Sequence, residues 1–565
     1  MSDEARLKVV LAWHMHQPQY RDLVSDVYHL PWTYLHAIKD YVDMAAHLEA
    51  CPQARAVVNF TPVVLEQIDD YVAQVNCVLH DSCAIRDPVL AALVQPALPT
   101  VPAERLVLVK ACLRAHETRM IKRFPAYERL VKMAQWIDEH PELMSYIGDH
   151  YLADLLVWYH LAWLGETVRR TDVRVRRLMD QESDYSLHDR RELLAIIGEL
   201  LSGLIDRYKR LAANGRVELS VTPYAHPILP LLLDLTTARE TMPDVTLPAR
   251  TSYPGGEERA HWHVQQGIKT FERHFGFRPT GCWPAEGGVS EAAQQLLAQS
   301  GFRWSATGEA VLRNSLAHAQ QALPEAKEGW LYQPYTAAQT DMRIFFRDDG
   351  LSDLIGFTYA GWHADDAVSD FIAHLERIAE ASRGQPERVV TIILDGENAW
   401  EYYPENAYYF LSALYKRLSE HARIQMTTFS ECLAMPAEPL SALISGSWVY
   451  GTFSTWIGDA DKNRGWEMLS DAKQAFDATV TKLSPTNREV AERQLAVCEG
   501  SDWFWWFGDY NPQTTVSDFE RLFRLHLTNL YQLLGIEPPD YLAHVFARGH
   551  GAPAHGGTMR HGQQG

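Results

Sequence analysis

Short apolar runs recur along the chain, each ending abruptly in polar or aromatic residues: 7–13, 55–60, 217–221, 280–283, 303–306, 342–346 and 389–394. The last of them, Val389-Val390-Thr391-Ile392-Ile393-Leu394, is continuous rather than alternating, the pattern of a strand covered on both faces in a parallel sheet. Helical periodicity fills the intervals between them. Strands alternating with helices predict an α/β fold, and strands that each end in polar or aromatic residues favour a closed barrel over an open doubly wound sheet. The expectation is about seven parallel strands in a (β/α)7 barrel of incomplete TIM type, with reactive side chains at the C-terminal strand ends.

Two regions depart from this rhythm. From Pro62 to Arg216 no convincing strand occurs, and segments such as Tyr151-Leu152-Ala153-Asp154-Leu155-Leu156-Val157-Trp158-Tyr159 have a helical pattern. This predicts a helical insertion over about 65–212 within a catalytic barrel of residues 1–430. After Phe429 the pattern is again mainly helical, with 473–495 and 517–534 as candidate long helices. Residues 431–545 are therefore expected to form a helical bundle domain packed on the barrel and completing the cleft. The Gly/His/Gln-rich end, 546–565, is expected to be a disordered tail, its His550, His555 and His561 included.

Composition narrows the function. The 565-residue chain has a formal charge of −20, which argues against nucleic acid or an anionic membrane as partner, since both demand a basic stripe. No apolar stretch approaches a bilayer span and Met1 to Lys8 contains no leader pattern, so the expected protein is soluble, unsecreted and cytoplasmic. The 7 cysteines are odd in number and contain no C-x-x-C spacing. They are expected to be reduced, mostly buried thiols, with neither a disulfide framework nor a zinc site.

The strand ends supply the chemistry. The run 389–394 delivers Asp395, Gly396, Glu397, Asn398 and Trp400 to the rim, although Asp395 or Asn398 as a helix cap explains the same acids. The first strand ends Trp13-His14-Met15-His16-Gln17-Pro18, and period-two alternation turns His14 and His16 to one side. Such a pair either binds sugar hydroxyls or forms half of a metal site, which Glu218, Glu286, Asp348, Asp395, His226 or His363 would have to complete. Glu218 shares a face with Ser220, and a structural ion pair there competes with a ligand contact. Glu286 follows a short strand and precedes Gly287-Gly288, which leave room for a ligand beside the backbone. Two carboxyls such as Glu286 and Asp395 on either side of one bond are what glycoside cleavage requires. Trp13, Trp283, Trp400 and Trp503 offer flat apolar faces for sugar rings, but for any one of them core packing is the simpler reading.

In order along the chain, Trp13-His14-Met15-His16-Gln17-Pro18, Gly215-Arg216-Val217-Glu218-Leu219-Ser220, Gly281-Cys282-Trp283-Pro284-Ala285-Glu286 and Leu394-Asp395-Gly396-Glu397-Asn398-Ala399-Trp400-Glu401 resemble the motifs of glycoside hydrolase family 57. The likeness continues through Leu30-Pro31-Trp32, Trp456-Ile457-Gly458 and Ser501-Asp502-Trp503, and is nearest to the amylopullulanase and α-amylase branch. What the resemblance implies is a retaining enzyme on α-glucans or maltooligosaccharides, without a cofactor or metal, built on a (β/α)7 barrel with an appended helical domain. It implies Glu286 as nucleophile and Asp395 as acid/base, with His14, His16, Glu218 and Trp283 at substrate-binding positions. Glu397, Trp400, Asp502 and Trp503, inside the same motifs, are further candidates for substrate contact, and Trp456, Trp505 and Trp506 for cleft walls. The same chemistry serves hydrolysis of α-1,4 or α-1,6 links and transfer to another glucan, as in a 4-α-glucanotransferase or a branching enzyme. A metal-dependent deacetylase or amidohydrolase using His14 and His16, and a silent glucan-binding protein, stand as rivals from other classes.

Overall fold

The central strand of the molecule, β1 (Leu7–Met15), is almost wholly buried because it has protein on both faces and neighbours on both edges. The structure is a computed structural model that describes residues 6–81, 83–320, 326–337 and 340–551. On one edge β1 pairs with β2 (Ala56–Phe60), and the order continues through β3 (Val217–Val221), β4 (Gly281–Cys282), β5 (Trp304–Gly308) and β6 (Arg343–Arg347). Then β7 (Val389–Asp395) pairs with both β6 and β1 and closes the ring. All these pairings are parallel, so the seven apolar runs form a closed (β/α)7 barrel.

Register sets the levels inside the barrel. His14 stands opposite Asp395 on one side and Asn59 on the other, and Asn59 stands opposite Ser220. One layer of polar side chains therefore crosses β7, β1, β2 and β3 just below the rim. Beneath it lies an apolar layer that includes Val10, Trp283, Trp304, Phe345 and Phe429.

An additional parallel strand, β8 (Ile424–Thr427), pairs with Leu7–Val10 at the N-terminal end of β1. The sequence reading omitted it because four residues, Ile-Gln-Met-Thr, are too short to establish a period. Two-residue strands Tyr335–Thr336 and Glu438–Pro439 extend the sheet beside β6.

Between β2 and β3 the described residues are helical, including α1 (Pro62–His80), α2 (Asp149–Ala162) and α3 (Leu187–Ala213). Ser186 and Asp189 start α3 with reciprocal side-chain bonds to each other's backbone N–H groups. Against β3 and the C-terminal helices packs α4 (Gly256–Phe275). Following β8 come α5 (Ala460–Thr479), α6 (Pro485–Cys498), α7 (Ser501–Trp506) and α8 (Gln513–Leu533). The single helix expected over 473–495 is two, because Ser484 caps a new start with Pro485 in its first turn. A buried cluster ties α6 to α4: Glu499 accepts from the Arg259 guanidinium at 2.9 Å and from the Tyr253 hydroxyl at 2.6 Å, with His263 Nε2 at 2.8 Å.

Two expectations need correction. Cys77 and Cys83 are joined in a disulfide, while Cys51, Cys112, Cys282, Cys432 and Cys498 are free and all but Cys51 are buried. The pair lies six positions apart at the end of α1, with Cα atoms 5.7 Å apart, which cysteine counting could not reveal. The tail expected from residue 546 begins packed: Phe546 sits 4.9 Å from the Phe507 ring, and the Gly551 N–H bonds to Asn511 at 2.9 Å. Residues 552–565, with His555 and His561, lie outside the described residues. Among the described residues no helix is long and apolar enough to cross a membrane.

Candidate active site

The C-terminal ends of the barrel strands open into a cleft of about 870 Å³. Its floor carries His14 and His16 from β1, Glu286 after β4, Arg347 from β6 and Asp395 from β7, with Glu397 just beyond. One wall is helical material between β2 and β3, including Lys110, Arg114 and Ile121, and the other is C-terminal, including Asp502, Trp505 and Trp506. Strands β4 and β7 lie three places apart in the seven-membered ring, so Glu286 and Asp395 enter from different sides of the cleft.

Glu286 sits in the left-handed region, with φ 55°, followed by Gly287 at φ 57°. That kink turns the carboxyl up from the strand end into the cleft. Its Oε2 accepts the indole N–H of Trp448 at 2.8 Å. Asp395 Oδ2 accepts the side-chain amide of Asn398 at 3.1 Å, and Glu397 Oε1 accepts from Gln17 Nε2 at 3.1 Å.

All three carboxyls are held above the ordinary carboxylate range, first because they are removed from bulk water. Glu286 is pushed far up, its second cause the charge of Asp395, and the Trp448 N–H only partly offsets this. Asp395 is raised by burial, while Asn398, His16 and Arg347 pull it back and Asp502 pushes it up. Glu397 is pushed far up by burial, then by the charges of Asp395 and Asp40.

Beside the carboxyls stands a histidine network whose protons can be assigned. Asn59 donates its amide to Ser220 Oγ and accepts the Thr222 hydroxyl, so its Oδ1 faces His14 Nδ1 at 2.7 Å and that nitrogen carries the hydrogen. His14 Nε2 is therefore the acceptor for His226 Nε2–H at 3.1 Å, and the Ser501 hydroxyl donates to His226 Nδ1 at 2.8 Å. Both rings are neutral: burial, reinforced by neighbouring His16, lowers His14 to about 3 and His226 well below the usual imidazole value. His16 pairs with Asp502 at 2.7 Å and meets Thr61 at 3.0 Å.

The three imidazoles each bring a ring nitrogen within 4.8 Å of the others, as a metal triad does. The His16 and His226 rings, however, stack at 3.8 Å with planes 17° apart. Their in-plane lone pairs run side by side and do not converge on one point, and every ring nitrogen already has a protein partner. Of the other groups considered as ligands, Asp348 caps a helix and accepts the Tyr332 hydroxyl at 2.7 Å, and His363 is an exposed helix start.

Six of the residues expected at the site meet in the cleft: His14, His16, Glu286, Asp395, Glu397 and Asp502. Glu218 does not. It lies opposite Val57, two residues and roughly 6–7 Å below the polar layer, since each strand residue rises about 3.3 Å. There it accepts from Trp304 Nε1 at 2.7 Å and from the Ser430 backbone N–H at 2.9 Å, a structural role. Trp400 and Trp503 are core residues, each 1% exposed, with indole N–H groups bound to Gly396 O and Val497 O. Trp283 is buried under the cleft floor, edge-on to Trp448 at 5.1 Å, and offers no open face to a sugar. Trp456 is likewise fully buried, whereas Trp505 and Trp506 line the cleft.

Two cleft residues, Arg347 and Trp448, and the buried His226 bonded to His14 received no site role from the sequence. Arg347 ends β6 as Asp395 ends β7, so the same rule of a charge directly after an apolar run could have found it. His226, with φ 58°, lies in the turn after β3 and is legible only as a spare imidazole. Trp448 lies in an irregular segment between Gly446 and Gly451, far along the chain, and only its turn-rich surroundings set it apart.

Comparison with known proteins identifies the family and the fold. The model of glycosyl hydrolase family 57 matches residues 10–440. A curated relative, a 1,4-alpha-glucan branching enzyme of Thermococcus kodakarensis, is 21% identical over 325 residues; the match covers 52% of this chain and 44% of that protein, so the aligned part is under half of the relative's length. Among solved structures, the branching enzyme of Pyrococcus horikoshii has TM-score 0.55 at 15% identity, covering 95% of this chain and 98% of that one. The alpha-amylase AmyC of Thermotoga maritima has TM-score 0.55 at 13% identity, covering 94% and 93%. These two likenesses concern the fold. With the family model matched across the whole barrel, the chain belongs to glycosyl hydrolase family 57.

Proposed function

We propose that this protein is a retaining enzyme of α-glucans, with Glu286 as nucleophile and Asp395 as acid/base. The observation that carries the reading is a pair of carboxyls on separate strand ends of one closed barrel, facing one cleft and feeling each other's charge. Ionised Glu286 attacks the anomeric carbon while Asp395 protonates the leaving oxygen; Asp395 then takes a proton from the incoming water or sugar hydroxyl as the glycosyl–Glu286 ester is cleaved. Burial and mutual repulsion leave the pair one proton to share. Arg347 and His16 favour charge on Asp395. A leaving-group oxygen seated beside Asp395 draws the proton back as Glu286 attacks. His14, His16 and Asp502 supply hydrogen-bonding groups for sugar hydroxyls. Glu286→Gln abolishes turnover of maltooligosaccharides while binding persists, and in the wild-type enzyme the first-formed reducing ends have the α configuration by NMR. Full activity in that variant, or β products, refutes the reading.

Transfer rather than hydrolysis is a second reading, favoured by the curated branching-enzyme relative. The chemistry is common to both, and the choice rests on whether water or a glucan hydroxyl reaches the intermediate. Incubation with amylose separates them. Shorter chains alone mean hydrolysis, longer chains mean disproportionation, and new α-1,6 signals mean branching.

A further inference from the structure

We infer that Trp448 is a positioning residue for Glu286, holding its backbone in the kinked conformation and its carboxylate in the attacking orientation through two separate hydrogen bonds. This rests on the assignment of Glu286 as nucleophile.

A glutamate at φ 55° is outside the conformations that side-chain-bearing residues favour, and such a residue persists only where its surroundings hold it. The hold comes from a C-terminal segment seated on the rim beside β5 and β6. Residues 446–448 run antiparallel to the Glu286 loop: Val289 and Gly446 exchange backbone bonds of 2.9 and 3.1 Å, and the Trp448 N–H bonds to the Glu286 carbonyl at 3.1 Å. The indole N–H of the same residue then reaches Glu286 Oε2 at 2.8 Å. One tryptophan thus clamps both the main chain and the reacting end of Glu286.

The indole is itself held by two neighbours. Its edge-on neighbour is Trp283 at 5.1 Å, and the Arg347 guanidinium lies over its face 5.3 Å from the centroid. Arg347 is held in turn by the Ile393 carbonyl at 2.8 Å, Asp349 at 2.8 Å and Asp353 at 2.7 Å. A cation over the ring withdraws electron density and makes the indole N–H a stronger donor to a carboxylate. Gly308 allows the approach, because a Cβ there would stand 2.6 Å from Trp448 Cα. Since Ile393 precedes Asp395 by two residues on β7, Arg347 also registers the nucleophile's clamp against the strand that bears the acid.

The donor favours the charged form of Glu286, the form that attacks. Other charged or titratable groups facing the same space are Asp395 and Glu397 from β7 and its loop, Asp502 from α7, His14 and His16 from β1, and Arg347 from β6.

Trp448→Phe keeps the ring and removes the donor. In this variant kcat on maltooligosaccharides should fall about 10- to 100-fold, the loss expected for one hydrogen bond to a charged group, with KM little changed. The acid limb of kcat/KM should move to higher pH. The same fall should occur with α-maltosyl fluoride, whose leaving group needs no protonation, whereas Asp395→Asn recovers on that substrate. Unchanged kcat with an unmoved acid limb overturns the inference, and so does a loss that recovers on the fluoride, which would place Trp448 with Asp395. A readout independent of how the variant folds is the Trp448 indole resonance of 15N-tryptophan-labelled wild-type protein. It should titrate with Glu286 and become pH-invariant in Glu286→Gln, and a resonance invariant in the wild type overturns the inference. Full activity in Glu286→Gln sinks the nucleophile assignment itself; an inactive Glu286→Gln beside an unaffected Trp448→Phe sinks only the positioning role.

Discussion

Glu286 and Glu218 are glutamates inside the same barrel, both held above the usual carboxylate range by burial, yet their surroundings differ in kind. Glu218, below the polar layer, is met by Trp304 Nε1, the Ser430 N–H and the Ser430 hydroxyl. Glu286, at the rim, accepts one indole N–H and faces the cleft and another carboxyl. An acid saturated with protein donors has no capacity left for chemistry. One left with a single donor beside a cavity keeps its reactivity, and its removal from water is a cost the fold sustains elsewhere.

The contrast can be broken first at the reacting pair. Asp395→Asn should lower kcat on amylose about 10²- to 10⁴-fold, the usual worth of a general acid, with much of the loss restored on α-maltosyl fluoride. An equal loss on both substrates would remove Asp395 from the acid role. At the other pole, Glu218→Ala strands the three donors that meet it and should cost about 2–5 kcal/mol in urea unfolding while kcat of the folded fraction stays at the wild-type level. A turnover defect as large as that of Asp395→Asn would return Glu218 to the site.

A subtler test uses pH. Folding raises the pKa of Glu286, so the native state holds that proton more tightly than the unfolded chain, and stability is lost as pH rises from the unfolded value of about 4.3 through the folded one. Glu286→Gln lacks this penalty. It should melt higher than wild type at pH 7, with the gain disappearing below about pH 4 in calorimetric scans. A gain independent of pH would show that the raised pKa is not its source. The smallest effect concerns the buried tryptophans. Trp400→Phe loses the bond to Gly396 O and some packing, about 1–2 kcal/mol, and should leave KM for maltooligosaccharides unchanged.

Much of the barrel was legible because its signal is local. A continuous run such as Val389–Asp395 needs only its own residues to be recognised as a doubly covered strand, and the acid that ends it is then at the rim. The histidine pair was legible for the same reason, since alternation places His14 and His16 on one side whatever lies across the barrel. The run 280–283 predicts a strand of which only Gly281–Cys282 pairs as β4, and β8 was missed because four residues have no resolvable period. The tryptophans misled because an indole's apolar face suits a sugar ring and a core equally, and only burial separates the two.

What the sequence determined by itself was therefore the inventory: strands, the side of each strand on which a polar residue falls, and the family. Height within the barrel and partners across it were decided by the tertiary structure. Period two assigns Glu218 and Ser220 to one face but cannot say that one is buried under the floor while the other supports the Asn59–His14 layer. Nor can local pattern bring Asp502 to His16 across 486 residues, or Trp448 to Glu286 across 162. Those contacts exist only once the barrel closes and the C-terminal segments dock on its rim, and with them come the charges and donors that make one buried carboxyl reactive and another inert.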